Sequence, residues 1–411
     1  MPEAPINPSD VPIKHVFVLM LENRSFDHLF ARSGIADITV ATSSDTNTWN
    51  GTTYRCGAAA PANMTTDPPH EFLDVLQQLT GLGAWPANNC YPPINNSGFA
   101  ANYATSITEG TPPVAQDVGN IMTSVDLQQQ APTFYALATQ FVVCDHWFAS
   151  LPGPTWPNRY FVHGASSAGL DHSPSQIDIS LWETTCGFMY ENGSIFDALH
   201  EKQLPYRLYQ DKSGPLSGQI PQVSSLKNIG FEDVDSLEDF EEDLKNNYDA
   251  CYTFIEPAYG NLTAGTYQGG SSQHPMDGVQ GGDLLIKRVY NAIRNSDIWE
   301  TSMLIITYDE HGGFYDHVSP PAAKPPADQT LHQNNKNGFA FDRYGVRVPA
   351  LIISPWVEKG GISSAIYDHS SILKTIETLY GLDPLTQRDA NANSAVPLIT
   401  TIKRLDCPQE L

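Results

Sequence analysis

Five short apolar runs decide what this chain can fold into. They cover residues 16–21, 141–143, 252–255, 303–307 and 350–353. Each is too short for a buried helix and is bounded by polar or turn-forming residues, so each reads as a strand covered on both faces. Helical patterns lie between them. "GGDLLIKRVYNAIRNS" sets Leu284, Leu285, Val289, Ala292 and Ile293 on one face. "SSILKTIETLYG" closes on Gly381 as its C-cap, and "APTFYALATQF" is a short helix just before a strand. Strands that alternate with helices predict an α/β chain, a mostly parallel sheet with helices on both faces.

The 411 residues are 41% hydrophobic and 17% charged, which is enough apolar material for one large core. No repeat or linker interrupts them, so a single domain over 1–411 is expected. The Thr/Asn/Gly/Pro-rich stretch 41–120 and the Pro/Asn/Lys-rich stretch 318–346 are expected as loops or lids over the sheet. No apolar run reaches the roughly 18 residues of a membrane helix. "MPEAPINPSDVPIKH" has neither the basic start nor the apolar core of a signal peptide.

A formal net charge of −24 argues against nucleic acid and against anionic membranes. An anionic substrate would then need a local positive centre, which a metal ion supplies. None of the six cysteines sits at metal-ligand spacing. Cys56 and Cys90 flank a loop-like stretch and are a candidate disulfide, whereas Cys144 in "FVVCDHWF" reads as a buried thiol. Asn50, Asn63, Asn95, Asn192 and Asn261 stand in N-x-S/T patterns compatible with a secreted, cell-surface or periplasmic protein.

Three polar clusters carry candidate chemistry. The run at 16–21 ends abruptly in Glu22 and Asn23, and the run at 303–307 leads into Asp309, Glu310 and His311, followed by Gly312 and Gly313. Strand ends that feed helices are where open α/β sheets keep ligands. The four oxygen-bearing side chains Glu22, Asn23, Asp309 and Glu310 suit a hard divalent ion such as magnesium, calcium or manganese, and zinc also accepts carboxylates. One such pair alone would read as a helix cap; two in one chain favour a metal. In "SLPGPTWPNRYFVHG", prolines and a glycine fix the loop around Thr155 just before a predicted helix. A hydroxyl at a helix N-terminus is well placed to attack phosphorus, and a rigid turn with a buried threonine explains the same spacing. His70 and His274 are candidate proton donors, and His311, His317 and His369 candidate partners behind a metal site. No phosphate-binding glycine loop and no G-x-S-x-G elbow is present.

"ENRSFDH", "PGPTWPNR" and "TYDEHGGFYDHV" in this order, with "DPPHE", "HPMDG" and "YGVRVPALIISPW", resemble the phosphoesterase family of non-haemolytic, phosphatidylcholine-preferring phospholipases C and a related acid phosphatase. The resemblance spans about residues 13 to 382. It implies an alkaline-phosphatase-like α/β/α sandwich. It further implies a metal held by Glu22, Asn23, Asp309 and Glu310, with Thr155 as nucleophile and His70 and His274 contacting the phosphoryl group or leaving oxygen. Asn158, Arg159, His311 and His317 would stand behind these groups or touch substrate. The expected reaction is hydrolysis of phospholipids to diacylglycerol and a phosphorylated head group by a monomer at a lipid surface. A phosphomonoesterase on the same scaffold is the alternative, and a non-catalytic binding module a third. The larger haemolytic relatives carry extra C-terminal β-domains, which this chain is expected to lack.

Overall fold

A computed structural model describes residues 11–328 and 334–411. The strands are β1 (His15–Leu21), β2 (Thr46–Trp49), β3 (Thr52–Arg55), β4 (Val142–Cys144), β5 (Tyr206–Gln210), β6 (Val234–Ser236), β7 (Tyr252–Glu256), β8 (Ser302–Tyr308), β9 (Ala350–Ile353) and β10 (Ile362–Ser363). Eight of them make one sheet in the order β10-β4-β9-β8-β1-β7-β5-β6, and β2 and β3 form a separate hairpin. All pairs in the large sheet are parallel except those of β9, which runs against both β4 and β8. The five expected strands are all present, and the fold is the α/β class read from the sequence.

Side-chain alternation shows that helices cover both faces. Phe254 pairs through Val18 with Ile305, so these three point to one face, and Tyr308, three residues on, points to the other. His163 of helix Thr155–Gly164 packs edge-on against Phe254. Phe134 of helix Pro132–Gln140 packs edge-on against Tyr308. Helix Pro132–Gln140 packs with helix Gln280–Arg294, and helix Thr155–Gly164 with helix Ser370–Tyr380. The Asp283 carboxylate fastens the first pair by accepting from the backbone N–H groups of Thr133 and Phe134. Val16 to Leu21 of β1 are buried without exception, and each such side chain contributes roughly 1.5–3 kcal/mol.

Several expectations are corrected. Leu284 is exposed, and Ile286 takes a core position on that helix instead. Cys56 and Cys90 are unbonded, as are the other four cysteines. Cys144 is the buried thiol expected. The stretch 41–120 is more than loop. It holds the β2–β3 hairpin, helix Phe72–Thr80 and helix Phe99–Thr105, packed around Met64, Val75, Leu79, Phe99 and Tyr103. The stretch 318–346 carries no helix or named strand among its described residues, and 329–333 lie outside them. Among the described residues no helix is long and apolar enough to cross a membrane.

Candidate active site

Register builds the site. Leu21 pairs with Tyr308 at the last rung of the parallel β1–β8 ladder, so the residues that follow, Glu22–Asn23 and Asp309–Glu310, leave the sheet side by side. The backbone N–H of Asn23 donates to Asp309 Oδ1 at 3.1 Å, and that of Glu310 to the same oxygen at 2.7 Å. Asn23 has φ 59°, a left-handed conformation uncommon outside glycine and favoured at functional turns. The chain can pass behind it only because Gly312 lacks a side chain. Its φ is +60°, and a Cβ there would stand 2.2 Å from the Asn23 carbonyl oxygen.

The strand β4 runs parallel to β8 through two antiparallel steps, so the loop after it rises at the same end of the sheet. Asn158 shapes that loop. Its amide donates to the carbonyls of Gly153 and Pro154 at 2.9 and 3.0 Å, and its Oδ1 accepts from Leu151 N–H. The result is Thr155 at the first position of helix Thr155–Gly164, its hydroxyl 3.4 Å from Asn23 Oδ1. Arg159, one turn further, donates from Nε to Asp309 Oδ2 at 3.0 Å, donates to the Leu21 carbonyl, and lies over the Tyr259 ring. Both members of this ion pair are buried.

Thr155, Glu22, Asn23, His70 and His274 line one cavity of about 710 Å³. Its walls add Trp156, an aromatic candidate for a cationic head group, and Glu71, Glu109, Glu183, Tyr259 and Tyr267, which the sequence did not single out. A second hollow of about 620 Å³, around Ser194, Asp197 and Lys227, contains none of the strand-end groups.

Burial, only partly offset by Arg159, pushes the Glu22 carboxyl up to about 8. Burial also raises Glu310 to about 8, against the charge of His70. Glu22 Oε2 and Glu310 Oε1 have no hydrogen-bond partner. Two buried carboxylate oxygens without donors are what a divalent cation requires, and the oxygen donor set fits a hard one. Asp309 differs from these two. Arg159 and two backbone N–H groups already hold its oxygens, so it fixes the turn as much as it offers a ligand. His369 Nε2 supports the Asp309 carbonyl at 2.6 Å.

Burial alone would lower the His70 pKa, but the charges of Glu310, Glu109 and Asp67 outweigh it and hold the ring well above the ordinary range. Its Nδ1 is tied to the Pro68 carbonyl at 2.8 Å. His274 is the opposite case. Burial, with help from His70 and Arg24, drops it well below the ordinary range, and its ring stacks on Tyr267 with centroids 3.5 Å apart. His311 lies behind Glu310, its Nδ1 3.2 Å from Oε2. Gln78 donates its amide to Pro69 and Asn102, so its Oε1 accepts from His311 Nε2. Burial lowers the His311 ring to about 3.

His317 is placed elsewhere. Its ring is 2.6 Å from Asp27 Oδ2, in a knot where Arg347 donates to Asp316 and Asp27. Asp27, Asp316 and His317 are the one set of three such groups, among the described residues, with ligating atoms within 4.8 Å of one another. A metal ion would fit that spacing, but the Arg347 guanidinium already supplies its positive charge. The strand-end carboxylates stand further apart.

A model of the Phosphoesterase family matches residues 13–383. The chain belongs to that family. Among the relatives of this phosphoesterase are non-specific phospholipase C6 of Arabidopsis thaliana, 34% identical over 97% of this chain and 75% of that one, and phospholipase C B of Mycobacterium tuberculosis, 28% identical over 90% and 74%. A solved structure from the alkaline phosphatase superfamily of Vibrio parahaemolyticus is similar at 17% identity and a TM-score of 0.38, over 67% of this chain and 66% of that one. Family membership makes the chain a phosphoric ester hydrolase, in agreement with its motifs.

Proposed function

We propose that this phosphoesterase is a phospholipase C, cleaving the glycerol–phosphate ester of phospholipids such as phosphatidylcholine. The carrying observation is the Thr155 hydroxyl at a helix N-terminus, oriented by Asn23 and sharing one cavity with Glu22 and His70. The acidic walls at Glu71, Glu109 and Glu183 suit a diester with a cationic head group better than a doubly charged monoester.

Glu22, Asn23 and Glu310, with Asp309 behind them, would hold a divalent ion: magnesium, calcium, manganese or zinc. Such an ion, when bound, supplies positive charge that favours the alkoxide of Thr155 and the developing charge on the phosphoryl oxygens. Thr155 Oγ1 attacks phosphorus in line and forms a phosphothreonine as the bond to the diacylglycerol oxygen breaks. The N–H groups at the start of helix Thr155–Gly164 face the same charge. His70, with Nδ1 fixed, donates from Nε2 to the leaving alkoxide. His274 is the less suited donor, because it is neutral and stacked. Water then hydrolyses the phosphothreonine and frees the phosphorylated head group. Sequon asparagines on the surface, Asn50, Asn63, Asn95 and Asn192, support a secreted or cell-surface location, and we take the enzyme to work as a single-domain monomer.

The test is product analysis. Phosphatidylcholine micelles should yield diacylglycerol and phosphocholine in equal amounts. Cleavage of p-nitrophenyl phosphate with the lipid left intact would replace this reading by a phosphomonoesterase.

A further inference from the structure

The mouth of the catalytic cavity is aliphatic on a protein whose surface is acidic. Ile220 and Leu262 line the cavity and yet keep 44% and 41% of their surface exposed. Leu216, next to the lining residue Ser217, is 85% exposed, and Ile107, next to the lining residue Thr108, is 75% exposed. Helix Gln176–Leu181 contributes Gln176, Ile179 and Ser180 to the wall, and its Ile177 and Leu181 point into solvent. Six of the sixteen large exposed hydrophobics among the described residues therefore lie in this wall or one residue from it.

Helix Gln176–Leu181 buries none of its residues. Its first turn is held by a capping box between Ser175 and Asp178 rather than by core packing. An aliphatic helix without a core to face needs another apolar environment.

We propose that this rim docks the enzyme on a zwitterionic lipid surface, with Ile107, Ile177, Leu181 and Leu216 entering the interface around the cavity mouth. The reading rests on the phospholipase C assignment above. Charge selects the occupant. A net charge of −24 repels an anionic membrane, and Glu71, Glu109 and Glu183 in the same cavity attract the cationic half of a zwitterion. Position supports it too. The rim is continuous with the wall leading to Thr155, so a lipid lifted by its head group reaches the nucleophile while its chains leave the bilayer between apolar side chains.

The test compares the wild type with Ile177→Asp/Leu181→Asp and with Leu216→Asp. Three readouts are needed: sedimentation with phosphatidylcholine vesicles, hydrolysis of those vesicles, and hydrolysis of soluble p-nitrophenyl phosphorylcholine. Vesicle binding and vesicle hydrolysis should fall by about tenfold or more, while the rate on the soluble ester stays within about twofold. Unchanged vesicle binding overturns the proposal. So does tighter binding to phosphatidylserine vesicles, or a wild-type dimer that the substitutions dissociate, which would assign the rim to a second copy of the chain. A wild type that binds vesicles but cleaves neither substrate would sink the phospholipase reading and leave docking standing. A readout independent of these variants is a polarity-sensitive dye on the exposed thiol of Cys186, five residues beyond Leu181, in a Cys90→Ser background. Its emission should shift to shorter wavelength with phosphatidylcholine vesicles, and an unshifted spectrum counts against insertion.

Discussion

The hydroxyl of Thr155 points at the side-chain oxygen of Asn23, 3.4 Å away and 132 positions earlier in the chain. The two meet because β1 and β4 end at the same edge of one sheet. Thr155→Ala should lower phosphoester hydrolysis by about a thousandfold or more, and Thr155→Ser should keep most of it, since only the hydroxyl is required. Full activity in the alanine variant would move the nucleophile elsewhere.

Metal dependence should be visible in stability as well as in turnover. After exhaustive chelation, adding a divalent ion at about 100 times its dissociation constant should raise folding stability by about 2.7 kcal/mol. Glu22→Gln and Glu310→Gln should each remove most of that gain in a thermal melt. A wild type whose melting temperature ignores all four candidate ions would argue against a site at the strand ends.

Arg159 and Asp309 form a buried pair, so losing one partner strands the other. Arg159→Met should cost about 3–5 kcal/mol in denaturant unfolding. Adding Asp309→Asn should restore part of the loss, because the uncompensated carboxylate is then gone. Strictly additive losses would show that the two do not act as a pair.

Two glycines with nearly the same φ separate conformational strain from steric conflict. Gly34, at +70°, has nothing within 4 Å of where an alanine methyl would stand, so Gly34→Ala should cost about 1 kcal/mol. Gly312→Ala meets the Asn23 carbonyl and should cost several times more, about 2–4 kcal/mol, with a matching drop in activity. Equal costs would mean that the Asn23 turn yields freely.

Glu377, buried in helix Ser370–Tyr380, makes stability depend on pH. Burial first, then Asp389 beside it, pushes its carboxyl up to about 9, against the opposing charge of Lys374. Unfolded, it titrates near its ordinary value of 4.5. Between those values the folded chain keeps a proton that the unfolded chain releases. The stabilisation is therefore full below about pH 4.5 and is lost as pH rises towards 9. Melting temperatures from about pH 5 to about pH 9 should fall more steeply for wild type than for Glu377→Gln. Parallel curves would remove the assignment.

The strands that position the site are legible in the sequence because a buried parallel strand is nearly all apolar, so its polar end is abrupt. That signal places Glu22 and Asp309 at strand ends, and the pairing of β1 with β8 is what brings them side by side. The strand β5, "YRLYQ", mixes charge with aromatics and carries no such contrast. Leu284 deceives because it sits one position from the true face, where an apolar residue fits the same periodicity. The hairpin and helices within 41–120 hide in a turn-rich composition because their small core is shared with distant Phe314 and Tyr315. Glu109 and Tyr267 reach the cavity from loops, where spacing says nothing about direction. His317 is a near neighbour of Glu310 in sequence, yet it turns away to meet Asp27 and Arg347.

The central place of β1 sets the order in which this molecule can be made. The strand leaves the ribosome long before its two partners, β7 and β8, which begin at Tyr252 and Ser302. The His15 ring waits for Ala250, 235 positions downstream. Until then "VFVLML" has both hydrogen-bonding edges open and no sheet to join. Such non-local pairing is slow, and an unpaired apolar strand is prone to aggregate. The late pairing of β1 therefore makes the interval before β7 and β8 emerge the stage of synthesis most exposed to aggregation.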